Sequence, residues 1–336
     1  MKKWMHLSKL LFLLLPELVF AFPDSEPEPI QGPWLTGTLL SPGGYTIPQG
    51  HVNFEPYLFI NSSIGKYDGE WKAKRIDTFI STSVQLPVFV GITSFMDFQM
   101  FPQASYNHVS NQNSGGFSDL PLALNFQVWS EHPGSWAPAV RVGIMEIFPT
   151  GKYNKRNPEK LGTDITGEGA YTTAFNVVFA KTMELGGTHF MRTRLGLSYA
   201  IPSSVHVEGF NTYGGGFGTK GKVLPGNQFS AVLGIEYTPT LHWAFALDIQ
   251  MITSERDKFS GKRGATTQVV SSVDNSSPQQ LAVSIGDRSL ERVSLAPAVE
   301  YNFSQNVGMI VGMWFTVAGR NTTQFVNGVA AVNIYF

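Results

Sequence analysis

The tightest group of residues that could do chemistry is Tyr106-Asn107-His108-Val109-Ser110-Asn111. On an extended strand His108 and Ser110 share a face, so the imidazole could take the hydroxyl proton and prepare Ser110 for nucleophilic attack on an acyl group. A second set is larger and dispersed: Glu55, Arg75, Asp77, Asp97, Gln99, Arg141, Arg192, Arg194, Glu236, Asp248, Gln250, Arg292 and Glu300, spaced through apolar segments. Two roles are open for it. The charges line a hydrated pore and select solutes, or they pair across strands and fill an interior, because a desolvated charge needs a partner in either case. The absence of cysteine removes thiolate catalysis, disulfides and cysteine metal sites. His51, His132, His189, His206 and His242 do not cluster, so neither a metal site nor a cofactor is expected. Gly214-Gly215-Gly216 with Gly218 and Gly221 reads as a flexible loop, since no helix follows to present its N-terminus to a phosphate. The mixed-charge tract from Glu255 to Arg263 reads as a solvated loop, with contact to lipopolysaccharide phosphates as the alternative.

The elements that must position these residues are strands. From His51 onward the hydrophobic period is two: Val52, Phe54, Leu58 and Ile60 alternate with Asn53, Glu55, Tyr57 and Phe59. Ile76, Thr78, Ile80, Val84 and Leu86 alternate in the same way with Arg75, Asp77, Ser81, Ser83 and Gln85. The pattern recurs at about 89–101, 119–129, 138–148, 169–181, 190–201, 228–239, 242–254, 291–303, 307–318 and 325–336, making twelve segments. An eleven-residue strand tilted about 40° rises about 28 Å, enough to cross an apolar band of about 25 Å. Counted from a periplasmic start, the odd connections are long (61–74, 102–118, 149–168, 202–227, 255–290) and the even ones short (87–88, 130–137, 182–189, 240–241, 304–306), with 319–324 the exception. Long outside and short inside is the pattern of outer-membrane barrels. The expected fold is therefore all-β, a transmembrane antiparallel up-and-down β-barrel of about twelve strands. By parity the charged set points inward.

Composition agrees. Charged residues are 15% against roughly 25% in soluble domains, while aromatics hold at 13% and glycine at 34 of 336. Lys2, Lys3 and Lys9, the apolar run Leu10 to Leu15 and the exit Val19-Phe20-Ala21 have the three parts of a secretory signal peptide, with cleavage expected after Ala21. Its removal takes the charges from 24 basic and 25 acidic to 21 and 24, which suggests no nucleic-acid partner. Domains are then a signal peptide (1–21), a Pro/Gly-rich periplasmic lead-in (22–50) and the barrel (51–336).

Three resemblances add to this. Ser118-Asp119-Leu120, Phe148-Pro149-Thr150-Gly151-Lys152-Tyr153, Leu161-Gly162-Thr163 and Gly167-Glu168-Gly169 resemble the outer-membrane transporter family named for the MetA (meta-cleavage) pathway of phenol degradation, with Ser118 where that family has glycine. That resemblance implies passage of small, hydrophobic molecules across the outer membrane. Here Asp119 is expected to bond its own turn backbone, and Pro149 and Gly151 to reverse the chain at the rim. The terminal strand ending in Val332, Ile334 and Phe336 resembles the signature read by the barrel-assembly machinery, which would make that machinery and outer-membrane lipids its partners. The His108/Ser110 element is similar to that of outer-membrane phospholipase A and the lipid A deacylases, in which the matching residues are base and nucleophile. The Gly and Arg-rich stretch of the phospholipase is replaced here by Gln112-Asn113-Ser114-Gly115-Gly116. Channel, lipid hydrolase and structural or surface-contact barrel are the functions this leaves.

Overall fold

The structure is a computed structural model that describes residues 34–132, 134–187, 189–265, 283–286 and 289–336. The expected signal peptide lies outside the described residues. No helix among them is long and apolar enough to cross a membrane, so any crossing must be made by strands.

Twelve antiparallel strands close a barrel. Four of them are broken in two: β1 (Val52–Phe54) with β2 (Tyr57–Tyr67), β3 (Ala73–Gln85) with β4 (Val88–Thr93), β5 (Met96–Met100) with β6 (Gln103–Val109), and β7 (Gln112–Phe117) with β8 (Leu120–Trp129). β9 (Ala139–Phe148), β10 (Thr172–Gly186) and β11 (His189–Pro202) follow, then β12 (Val205–Glu208) and β13 (Lys220–Leu224), which lie outside the barrel. β14 (Gln228–Thr238) and β15 (Trp243–Ser254) resume it, β16 (Lys258–Lys262) leaves it again, and β17 (Leu290–Asn302), β18 (Val307–Arg320) and β19 (Thr323–Tyr335) complete it. Closure pairs β19 with β2 (Val329 opposite Phe59) and with β1 (Asn53 opposite Tyr335). The Phe336 main chain finishes the seam, donating to Val52 O at 2.8 Å and accepting from Val52 N at 3.2 Å.

Three of the four breaks have one cause; the fourth, between β7 and β8, falls at Ser118-Asp119 and contains no proline. Pro56, Pro87 and Pro102 lack the N–H a ladder needs, so pairing passes across them through single carbonyl bonds: Glu55 N to Pro87 O, Leu86 N to Pro102 O, Phe101 N to Pro121 O. The apolar side chains between strand ends, among them Leu58, Ile80, Ile144, Leu195, Leu233, Ile249 and Val311, are exposed on the outer face, while Asn, Gln, Asp, Glu and Arg are buried inside. A water-soluble barrel would have the opposite polarity, so the outer face is built for lipid. Aromatic groups gather near the short-turn end, where Trp243, Tyr301 and Phe303 stack edge to face, as interfacial girdles do.

Three connections differ from expectation. The second and third strands meet at 94–95, not at 87–88, and the expected loops 61–74 and 102–118 are mostly strand, ending in tight turns at 68–72 and 110–111. Asn61-Ser62-Ser63 and Ser114-Gly115-Gly116 carry no apolar period, yet their backbones stay paired. The hairpins thus continue where lipid no longer dictates side-chain polarity.

The remaining long connections are not loose. β12, β13 and β16 form a separate three-stranded sheet over apolar Ala170, Val205, Val207, Val223 and Ile285, with Tyr153, Tyr213 and Phe259 packed against them. The glycine tract is ordered into this cap: Gly214, Gly215 and Gly218 take φ of 110°, 82° and 80°, and Gly214 bridges Asn211 and Ile285.

Candidate functional site

The site is the barrel lumen and the segment within it. Residues 34–48 run circumferentially along the inner wall, held chiefly through their own backbone. Thr36 N donates to Glu300 Oε2 (2.9 Å), Leu40 N and Ser41 N to Asp248 (2.9 and 3.1 Å), Thr46 N to Gln127 Oε1 (2.9 Å) and Ile47 N to Asp97 Oδ2 (3.0 Å). Asn302 Nδ2 donates to Trp34 O at 3.0 Å, and the Tyr45 hydroxyl donates to Glu131 at 2.6 Å. Irregular backbone inside a barrel must find such partners, because no ladder satisfies it.

Glycines make room for that chain. A β-carbon on Gly308 would lie 2.1 Å from Thr36 Oγ1, one on Gly234 2.2 Å from Ser41 Oγ, one on Gly196 3.0 Å from Pro42 Cδ, and one on Gly91 1.9 Å from Pro48 O. Four lumen glycines on four strands thus trace the path of the segment, in the same order.

Around this path the wall has two characters. On β15, β17, β18 and β19 it is small and apolar: Ala246, Ala296, Ala298, Ile310, Val329 and Ala331 receive Leu39, with Tyr57, Phe59 and Trp314 beside them. Elsewhere it is charged. Arg194 pairs with Glu236 at 2.6 Å, and both are buried. Arg141 approaches Asp97 at 4.0 Å, and Asp97 also accepts from Asn125 Nδ2 (2.8 Å) and Gln99 Nε2 (3.2 Å). Arg192 donates to Thr182 Oγ1 at 3.0 Å and lies 5.8 Å from the Tyr45 ring; Arg292 stands over Trp314 and Phe325. Glu55 accepts from Asn53 and Asn333 (2.7 and 2.8 Å), and Gln250 Oε1 from Ser294 Oγ (3.4 Å).

The charged set does not all meet here. Arg75 and Asp77 are exposed toward the 68–72 turn end of β3, apart from the buried charges that hold residues 34–48. Sequence reasoning also passed over the wall's uncharged or turn-borne anchors Gln127, Glu131, Asn302 and the glycine track. Glycine at inward positions of long strands was the available signal.

His108 and Ser110 do not share a strand face. Ser110 sits at the tip of the β6–β7 hairpin with φ of 51°, one residue after β6 ends. No hydrogen bond joins the two side chains, and both are exposed. Asp119 does not bond its own turn; its carboxylate takes Gly151 N (2.9 Å) and Glu168 N (2.7 Å), while Thr150 Oγ1 donates to Ser118 O at 2.7 Å. The separated motifs Ser118-Asp119, Pro149-Thr150-Gly151 and Gly167-Glu168 therefore form one knot at the outer rim. Deeper in this loop, burial works to raise the Asp164 carboxyl, but bonds from Lys152 Nζ (2.6 Å) and Asn157 N (3.1 Å) prevail and hold it below the usual range.

No protein-family model and no curated protein matches the sequence. Among solved structures, the COG4313 outer membrane channel from Pseudomonas putida F1 is similar with TM-score 0.66 at 13% identity, covering 88% of this chain and all of that one. The NanC porin is a weaker likeness, with TM-score 0.39 at 9% identity over 82% of this chain and 98% of the porin. The expected resemblance to outer-membrane transporters thus holds at the level of fold: this chain is a twelve-stranded barrel of the kind found in the Pseudomonas putida channel.

Proposed function

We propose that this protein is an outer-membrane channel for small apolar molecules, closed at rest by residues 34–48. The observation that carries the reading is the composite lumen. Its filler is a separate chain segment held by backbone hydrogen bonds, and beneath the segment lies an apolar strip of alanines with Ile310 and Val329. A barrel filled for structure alone would pack its own side chains across the axis. A segment bonded to wall carboxylates can instead exchange those bonds for water and uncover the strip, at a cost of about 1.5–3 kcal/mol for each bond exchanged. The likeness to a channel supports the fold this needs. Export and assembly follow from the expected signal peptide and from Phe336, whose exposed ring stands at the closing seam for the assembly machinery to read.

The experiment is uptake of N-phenylnaphthylamine, an apolar dye that an intact outer membrane excludes, by cells expressing the protein or an empty vector. Faster dye entry with the protein present is expected. Equal entry, with the barrel shown to be folded in the membrane, would refute the channel reading.

A further inference from the structure

The cap sheet has a second face. Its strands pair in rows, Glu208 opposite Lys220 opposite Lys262, His206 opposite Lys222 opposite Ser260, and Leu224 opposite Lys258, and these residues point away from the apolar face formed by Val205, Val207 and Val223. That outward face therefore bears four lysines and a histidine against one carboxylate. Glu208 is already shared, 2.9 Å from Lys155 and 3.8 Å from Lys220. Lys222, Lys258 and Lys262 have no ion-pair partner among the described residues. Lys220 and Lys262 stand directly opposite, and like charges in that position oppose strand pairing. Beside the row opens a cleft of about 490 Å³ lined by Lys155, Arg156, Glu208, Phe210, Phe217 and Lys220, among others.

In a chain of formal net charge −1 such a concentration is local, not a consequence of composition. A cross-strand lysine pair whose one neighbouring acid, Glu208, is shared with Lys155 is relieved by an external dianion. Ammonium groups on flexible stems suit phosphate monoesters, which need charge more than planar geometry. The sheet belongs to the long connections on the outer side of the barrel, where the outer leaflet presents such groups. We propose that this lysine face of β12, β13 and β16 docks the phosphates of lipopolysaccharide. The proposal rests on the outer-membrane placement given above, but not on transport.

The test is binding of lipid A to the folded full chain in detergent, comparing bisphosphorylated lipid A with the same lipid stripped of both phosphates. The wild type is expected to prefer the phosphorylated lipid, and to lose that preference as salt is raised. Lys220→Gln/Lys222→Gln/Lys258→Gln/Lys262→Gln should weaken binding by about a hundredfold or more, since each substitution removes one charge from the face that meets the anionic lipid. Heat-modifiable gel mobility checks that the barrel is intact; should the quadruple variant fail it, Lys222→Gln/Lys262→Gln is expected to show a smaller loss of the same kind. Equal binding of the two lipids, or unchanged binding by a folded variant, would overturn the proposal. So would inorganic phosphate at equal concentration displacing the lipid completely, which would mark a site for free phosphate. Dye uptake on the same preparations separates the two readings: a barrel that binds lipid A but admits no dye refutes only the channel.

Discussion

Replacing Asp248 by alanine should open the barrel. Its carboxylate accepts two backbone donors of the lumen segment, Leu40 N at 2.9 Å and Ser41 N at 3.1 Å, and hydrogen bonds to a charged group each contribute about 1.5–3 kcal/mol. Ser41 N retains Thr38 Oγ1 at 3.2 Å, which offsets part of the loss. The segment is therefore held less tightly by about 2–4 kcal/mol, and at 1.4 kcal/mol per tenfold its released population rises by roughly 30-fold to 1000-fold. Single-channel recording in planar bilayers reads this as the fraction of time open. Asp248→Asn, which keeps one acceptor oxygen, should fall between wild type and alanine. An Asp248→Ala barrel that is folded and has the open fraction of wild type would refute the claim that these bonds keep the segment in place.

Gly91→Val puts a β-carbon where Pro48 O now lies, 1.9 Å away, so it should displace the segment and raise open probability; an unchanged recording would mean the backbone gives way without release. Val207→Asp buries a charge in the apolar side of the cap and should unfold it, costing about 3 kcal/mol or more, while leaving the barrel heat-modifiable; limited proteolysis of 203–227 checks this. Because the Asp164 carboxyl is held below its ordinary range in the folded loop, its contribution is present above the unfolded value and lost as pH falls through the folded one. Amide protection in 149–168, measured relative to the intrinsic exchange rate at each pH, should fall at acid pH, and Asp164→Asn should show the lowered protection already at neutral pH.

The barrel was legible in the sequence because lipid imposes one rule on every spanning residue, and Leu58, Ile80, Leu233 and Val311 obey it by alternation. Where lipid ends, the rule ends too. The β6–β7 hairpin read as a loop because Ser105, Ser114, Gly115 and Gly116 need no polarity pattern above the band, only strand partners. The lumen charges were visible as types, but their main role was not, since holding backbone N–H groups of residues 34–48 depends on contacts some 50 to 260 residues away in the chain. Asp119 shows the same limit on a smaller scale: its partners, Gly151 and Glu168, are 32 and 49 residues distant.

The most direct test of a barrel gated by its own N-terminal segment is to lock that segment. Thr36 of the segment meets Asn302 of β17 side chain to side chain, Thr36 Oγ1 donating to Asn302 Oδ1 at 2.8 Å, and the sequence contains no cysteine to compete. In a Thr36→Cys/Asn302→Cys variant, oxidation should abolish N-phenylnaphthylamine entry and reduction should restore it to the level of the reduced single variants. Entry that is equally fast with the disulfide formed and broken would contradict the account.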